Sequence, residues 1–223
     1  VPDGLNKKLQ EITMRILHTA DLHINDKNIE EADECLRHVV DTAYTQSVDL
    51  IVIAGDTFDS RDVKLDSKAA KLAIKTVSAL AEIAPVAIIT GTPSHDGAAP
   101  EILRFARGKH LIHVSAYPEQ IYLTDGDLNQ HPSIYAEPTA VLTMIPTPTK
   151  QFFNEGDIQT SNEVIAQGLS GLFAGFGAQA AEFHRVPHLL VGHWNVSGAR
   201  LSTGQTMTGR DIDISIDQMR LTN

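Results

Sequence analysis

The chain has 223 residues, 42% of them apolar and 5% aromatic, which suits one domain with a real core and excludes a disordered tail. Eighteen Lys and Arg stand against 28 Asp and Glu, a net charge of −10, so a uniformly basic nucleic-acid coat is excluded; a polyanion could be met only through a local patch or bound cations. The single cysteine, Cys35, excludes an internal disulfide, and with it zinc sites built on two or four cysteines. No apolar run approaches the ~20 residues of a membrane span, and residues 1–13 lack an apolar secretory core. The expectation is a reduced, cytoplasmic protein with no membrane contact. Met14 opens a strand-like run, so residues 1–13 read as an extension or a short N-terminal helix, and residues 14–223 as the folded domain.

In chain order, Ile16 to Leu22 reads as a strand running into a loop. Asn28 to Gln46 is helical, with Ile29, Ala32, Leu36, Val39, Val40 and Ala43 on one stripe. Asp49 to Ala54 is a short continuous apolar run, the pattern of a strand buried on both faces. Asp66 caps a helix to about Ala84, where Pro85 stops it. Val86 to Thr90 is a third strand. A short helix follows from Pro100 to Arg107, with proline in its first turn. Leu111–Ser115, Gln120–Leu123 and Val141–Ile145 are strands, and residues 125–138 are a turn-rich loop. Asn162 to Phe183 has helical character, but Gly168, Gly171, Gly175 and Gly177 each cost ~1 kcal/mol relative to alanine and predict a break. Leu189–Val191 and Asp211–Ser215 complete the strands. Alternating strands and helices in the first half predict an α/β layered domain. Cys35 falls at helical spacing and reads as a small buried apolar residue. His18 reads as a core or interface histidine, and Trp194 equally as a cover over a site or a core aromatic. Lys64, Lys68, Lys71 and Lys75 read as a solvated face before they read as a phosphate-contacting stripe.

Chemistry gathers at strand ends. Three of them finish in polar groups able to bind cations: Asp21-Leu22-His23, Asp56-Thr57-Phe58-Asp59 after Gly55, and Ser94-His95-Asp96 after Gly91. A fourth, Gly192-His193, adds an imidazole. The carboxyl ends of strands in an α/β sheet open into one crevice, so these groups can converge. A hydrolytic two-metal site needs hard oxygen donors, some imidazole, and a carboxylate placed to bridge ions ~3.5–4 Å apart. Asp56, in a glycine-flanked turn, has the character of that bridge.

In this order the blocks resemble the calcineurin-like metallophosphoesterases, whose signature runs Asp-x-His, Gly-Asp-x-x-Asp, Gly-Asn-His-Asp/Glu, a lone His, and Gly-His-x-His. The wording of residues 14–23, of Ala54 to Asp59 and of Gly209 to Ile212 is similar to the SbcD branch of DNA repair exonucleases. The resemblance spans about Met14 to Ser215 and is densest before Asp96. It implies a two-sheet β-sandwich flanked by helices in αββα layers. It implies that Asp21 and His23 bind a first metal, that Asp56 bridges, and that His193 binds a second. Ser94 stands where the family has its asparagine ligand; either it binds weakly, or Thr92 or nothing takes that place. His95 would stabilise the transition state or protonate the leaving group, and Asp96 would orient His95 through a hydrogen bond. Asp59 reads as a turn or supporting residue. The metal would be Mn2+, the substrate DNA, the partner an SbcC-type ATPase, and the assembly a homodimer through helices near 66–84 and 100–107. The Gly-His-x-His block does not occur, since His193 is the last histidine; the domain is therefore expected to be a shortened nuclease domain with fewer ligands and no capping region. A metallophosphoesterase acting on a small nucleotide, or a catalytically incomplete assembly fragment, are the alternatives.

Overall fold

The computed structural model describes residues 13–149, 162–200, 202–205 and 212–222. Four parallel strands, β1 (Ile16–Thr19), β2 (Leu50–Ala54), β3 (Val86–Ile89) and β4 (Ile112–Ser115), lie in that order in a first sheet. Helices α1 (Ile29–Gln46) and α2 (Lys68–Ala81) supply the first two crossovers. The short helix expected from Pro100 to Arg107 is a 3-10 helix at Ala99–Phe105, which supplies the third and buries Leu103. A second sheet holds β5 (Glu119–Thr124), β6 (Asp127–Asn129), β7 (Ala140–Ile145) and β8 (His188–Gly192) in the order β6-β5-β7-β8. Only β7 and β8 run parallel in it. Helix α3 (Asn162–Ala180) precedes β8. Two-residue strands β9 (Asn195–Val196) and β10 (Asp213–Ile214) and the short helix α4 (Ile216–Met219) follow it.

The strand pleat explains the layering. On β2, Leu50, Val52 and Ala54 face the second sheet and meet Ile121, Leu142, Met144 and Val191. Ile51 and Ile53, on the opposite face, meet Leu36 of α1 and Leu72, Val77 and Leu80 of α2. A strand covered on both sides must be apolar throughout, as this one is. Beyond the second sheet, Ile145 packs with Ile165, Leu169 and Phe173 of α3. The result is the expected helix–sheet–sheet–helix sandwich.

Some local expectations change. Ser67, not Asp66, caps α2, its hydroxyl accepting the Ala70 N–H at 3.1 Å. Helix α3 runs unbroken through its glycines. The apolar face repeating at Ile165, Leu169 and Phe173 outweighs their propensity cost, and Gly177 has a use: a Cβ there would lie 2.2 Å from the Leu221 carbonyl oxygen. The expected loop at 125–138 begins as a hairpin. Asp125 and Gly126 both take positive φ (54° and 77°), the two-residue turn that matches strand twist, and Thr124 pairs with Asp127. Cys35 is exposed rather than buried, because it lies beside the stripe of Ala32, Leu36 and Ala43 instead of on it. His18 is exposed on β1, the edge strand of its sheet. Among the described residues no helix is long and apolar enough to cross a membrane. The dimer helices expected near 66–84 and 100–107 remain an expectation. Residues 1–12 of the N-terminal segment and 209–211 of the Gly209–Ile212 stretch fall outside the described residues.

Candidate metal centre

Parallel β1, β2 and β3 deliver their carboxyl ends to one edge of the sandwich. β7 and β8 end beside them, since the Thr147 N–H reaches the Thr90 carbonyl at 3.2 Å. The loops after β1 and β2 continue side by side. The N–H groups of Asp21, His23 and Ile24 donate to the carbonyls of Gly55, Asp56 and Thr57 at 3.1, 3.0 and 3.0 Å. This pairing puts Asp21-Leu22-His23 alongside Gly55-Asp56.

The backbone at these residues is unusual. Asp21, His23 and Asp56 all take positive φ, at 55°, 43° and 49°. Asp and His are among the few side chains that visit this region, and each such residue stores ~1–3 kcal/mol of strain. Three of them within one edge means that packing enforces a geometry the local chain would not choose. Asn25 contributes to that enforcement and went unremarked in the sequence. Its side-chain amide donates to the His23 carbonyl at 3.3 Å, and its oxygen accepts the N–H groups of Lys27 and Asn28 at 2.8 and 3.1 Å. Asn28 also donates to the His23 carbonyl, at 3.1 Å. The signal was available as two asparagines three apart just before a helix.

Asp56 is the centre. It is buried, and its carboxylate belongs to two groups of donors. Asp21, Asp56 and His193 form one; His23, Asp56 and His95 form the other, with ligand atoms within 4.8 Å of one another in each. His193 Nε2 lies 3.3 Å from Asp56 Oδ2. His23 Nε2 lies 3.7 Å from Asp21 Oδ1 and 3.9 Å from Asp56 Oδ2. Burial alone would raise the Asp56 pKa, but hydrogen bonds from His193 and from Thr92 overcome it and hold the carboxyl at about 2. The same bond raises His193 to about 9 against its own burial, helped by the Ala54 carbonyl.

His193 Nδ1 lies 2.8 Å from the Ala54 carbonyl oxygen. A carbonyl only accepts, so Nδ1 carries hydrogen and Nε2 is the nitrogen turned to Asp56. By the same argument His95 Nδ1, 3.1 Å from the Asp59 carbonyl oxygen, carries hydrogen and leaves Nε2 outside that bond. The rings of His23 and His95 meet edge to face at 4.7 Å.

One expected role is corrected, and the place of Ser94 differs from that of Thr92, its stated alternative. Asp96 does not orient His95. Its two oxygens accept the backbone N–H groups of Phe58 at 2.9 Å and Gly91 at 2.7 Å, so this fully buried carboxylate ties the β2 turn to the β3 turn. Burial pushes its pKa up in spite of both bonds. Ser94 is exposed, and its side chain makes no hydrogen bond among the described residues. Thr92 stands against Asp56 instead: its N–H and its hydroxyl both reach Oδ1 at 2.6 Å. The three residues between Gly91 and His95 carry Ser94 out of the turn, and the residue next to Gly91 takes the inner place. Asp59 supports: Oδ2 accepts from Asn25 at 3.3 Å, and Oδ1 lies 3.7 Å from His23 Nδ1.

Gly91 is required by close approach. A Cβ there would lie 2.1 Å from the backbone nitrogen of Asp56. Gly91→Ala is expected to cost about 3 kcal/mol of stability, because rigid backbone would have to move. Urea denaturation of the metal-free protein checks this, and an unchanged midpoint would show that the two turns are not in contact.

A cavity of about 380 Å³ opens over the cluster, bordered by His18, Asp21, Thr92, His193, Trp194 and Asn195. Trp194 folds back over Gly192 and lies 6.0 Å from Phe173, so it serves both the core and the cavity wall. No Lys or Arg borders the cavity among the described residues. Of the lysine stripe, Lys75 pairs with Asp33 of α1 at 3.3 Å.

Comparison with known proteins adds two findings. Residues 14–204 match the family model of the calcineurin-like phosphoesterases. Among solved structures, a match described as "GAP50 the anchor in the inner membrane complex of Plasmodium" is 11% identical, with a TM-score of 0.48, over 86% of this chain. The chain spans 58% of the length of that one. No curated protein sequence matches significantly.

Proposed function

The chain belongs to the calcineurin-like phosphoesterase family, and from that premise we propose that it is a divalent-cation-dependent phosphodiesterase whose substrate is DNA, in the manner of the SbcD-type repair nucleases. The observation that carries the reading is the Asp56 carboxylate, shared by two groups of carboxylate and imidazole donors, of which Asp21 and His193 border the adjoining cavity.

The donor set fits hard to borderline divalent cations such as Mn2+. In the metal-free protein a protonated His193 holds positive charge 3.3 Å from Asp56, where a cation would hold it. Asp21 and His193 with Asp56 would hold one ion, and His23 with Asp56 would hold the other, with Thr92 adjoining. When bound, such ions polarise a phosphoryl oxygen and activate water for attack. The chain's own residues do the rest. Asp56 is common to both groups and would tie the two positions together. The Ala54 carbonyl aims His193 Nε2 inward. The Asp59 carbonyl fixes His95 through Nδ1–H, so that the imidazolium form could give its Nε2 proton to the departing oxygen and return to the neutral ring. Because no Lys or Arg borders the cavity among the described residues, the phosphate's charge would be met by the cations themselves.

The DNA reading rests on the wording of residues 14–23 and 54–59. Homodimerisation and an SbcC-type ATPase partner are carried with it as parts of the same proposal. The test is Mn2+-dependent cleavage of end-labelled duplex DNA beside a chromogenic diester and a nucleotide monoester. Cleavage of DNA is expected. Turnover of the small esters alone would move the substrate to a small nucleotide. Turnover of none would overturn the enzyme reading in favour of an assembly module.

A further inference from the structure

A second cavity, of about 510 Å³, adjoins the first. Its walls include Tyr117 and Pro118 after β4, Ile145 at the end of β7, Pro146 and Pro148 after it, and Leu172 of α3. Among the described residues no acid, Lys, Arg or His lines it. Pro148 borders this cavity and the one beside Asp21 and His193 alike, so the two share a wall. Next to it Thr147 borders the metal-side cavity, and its hydroxyl is buried with no hydrogen-bond partner among the described residues. An unpartnered buried hydroxyl is costly, and a polar atom of a bound molecule passing Pro148 would relieve it.

We propose that this pocket is a substrate subsite that takes a flat aromatic ring carried by the non-leaving ester group of the phosphodiester held at the metal centre, which in a DNA substrate is a base. The proposal deepens the phosphodiesterase reading and rests on it. Three features select this occupant. Its described walls are apolar and uncharged, so they favour a ring face over a second phosphate. Proline and tyrosine rings give it stiff, flat walls, which lose little freedom when a ring is laid against them. The shared wall at Pro148 sets the pocket beside the cavity that Asp21 and His193 border, on the side a group carried by the phosphate would take.

The experiment compares 4-nitrophenyl phenyl phosphate with 4-nitrophenyl methyl phosphate in the presence of Mn2+, each rate divided by its rate with hydroxide. The leaving group is the same; only the other ester differs. A preference of about tenfold in kcat/KM for the phenyl ester is expected from burial of one ring face. Tyr117→Ala and Leu172→Ser should each reduce it toward parity while leaving the methyl ester unchanged. Tyr117 is 71% exposed, so its variant carries little risk to folding. Equal wild-type rates for both esters would overturn the subsite and leave the phosphodiesterase reading standing. If neither ester is hydrolysed, the phosphodiesterase reading fails on its own, and binding decides the pocket. Phenyl phosphate should then shift the amide resonances of Leu169 and Leu172, with methyl phosphate shifting them less and Tyr117→Ala abolishing the difference. No shift at these residues would overturn the proposal.

Discussion

Asp56→Asn is expected to remove cation binding from both groups of donors together and to lower phosphodiester turnover by about a thousandfold. The argument is one of shared atoms. Asp56 is the one residue common to Asp21–Asp56–His193 and His23–Asp56–His95, so removing its charge cannot spare either. Asparagine is the right replacement, because position 56 takes φ 49° and asparagine tolerates that region. Alanine there would add strain and confuse a lost ligand with a damaged turn. The amide oxygen can still accept from Thr92, but it offers His193 no charge, so the His193 imidazole should return toward its ordinary pKa. Calorimetric titration of Mn2+ into the wild type and the variant reads the result directly. A cation site that survives with unchanged affinity would show that Asp56 is not shared and would break the two-ion reading.

Much of this was legible in the amino-acid sequence for a physical reason. Strands covered on both faces leave continuous apolar runs, and β2 and β3 were visible for that reason. Parallel strands put all their carboxyl ends on one edge, so polar residues after Thr19, Ala54 and Ile89 could be expected to meet. Asp21, His23, Asp56 and His193 do gather at that edge. What stayed hidden depended on contacts across the fold. Nothing local distinguishes an Asp96 that holds His95 from one that accepts the N–H groups of Phe58 and Gly91; the difference appears only when two turns are stacked. Likewise Thr92 and Ser94 are both short hydroxyls, and only the path of the turn decides that Thr92 faces Asp56. Helix α3 was underrated because glycine propensity is a local cost, whereas the packing of Leu169 and Phe173 and the close approach of Leu221 to Gly177 are tertiary gains. Hairpin residues Asp125 and Gly126 did carry a local signal, an Asp-Gly pair between apolar runs, which the reading of that segment as loop passed over.

Alkaline pH should weaken the metal-free fold while strengthening its hold on Mn2+. In the metal-free fold His193 titrates at about 9, against an ordinary 6.5. Its proton therefore stabilises the fold fully below 6.5, and that contribution is lost as pH rises through about 9. Asp56, held at about 2 against an ordinary 3.8, contributes above 3.8 and loses its contribution as pH falls through about 2. Both values describe one ion pair, so its worth is counted once, at about 2–3 kcal/mol. The acid limb is blurred by Asp96, whose raised pKa works in the other direction. The alkaline limb from 6.5 to 9 is the cleaner window. There, urea midpoints of the metal-free protein should fall steadily, and His193→Gln should flatten the slope. A divalent cation needs the same Nε2 that the proton occupies, so the apparent affinity for Mn2+ should climb by up to about tenfold per pH unit across this window and level off above it. Protein saturated with Mn2+ should then show no alkaline loss of stability from this pair. A metal-free protein whose midpoint is flat from pH 6.5 to 9 would mean that His193 is already neutral and that its approach to Asp56 holds no charge for a cation to replace.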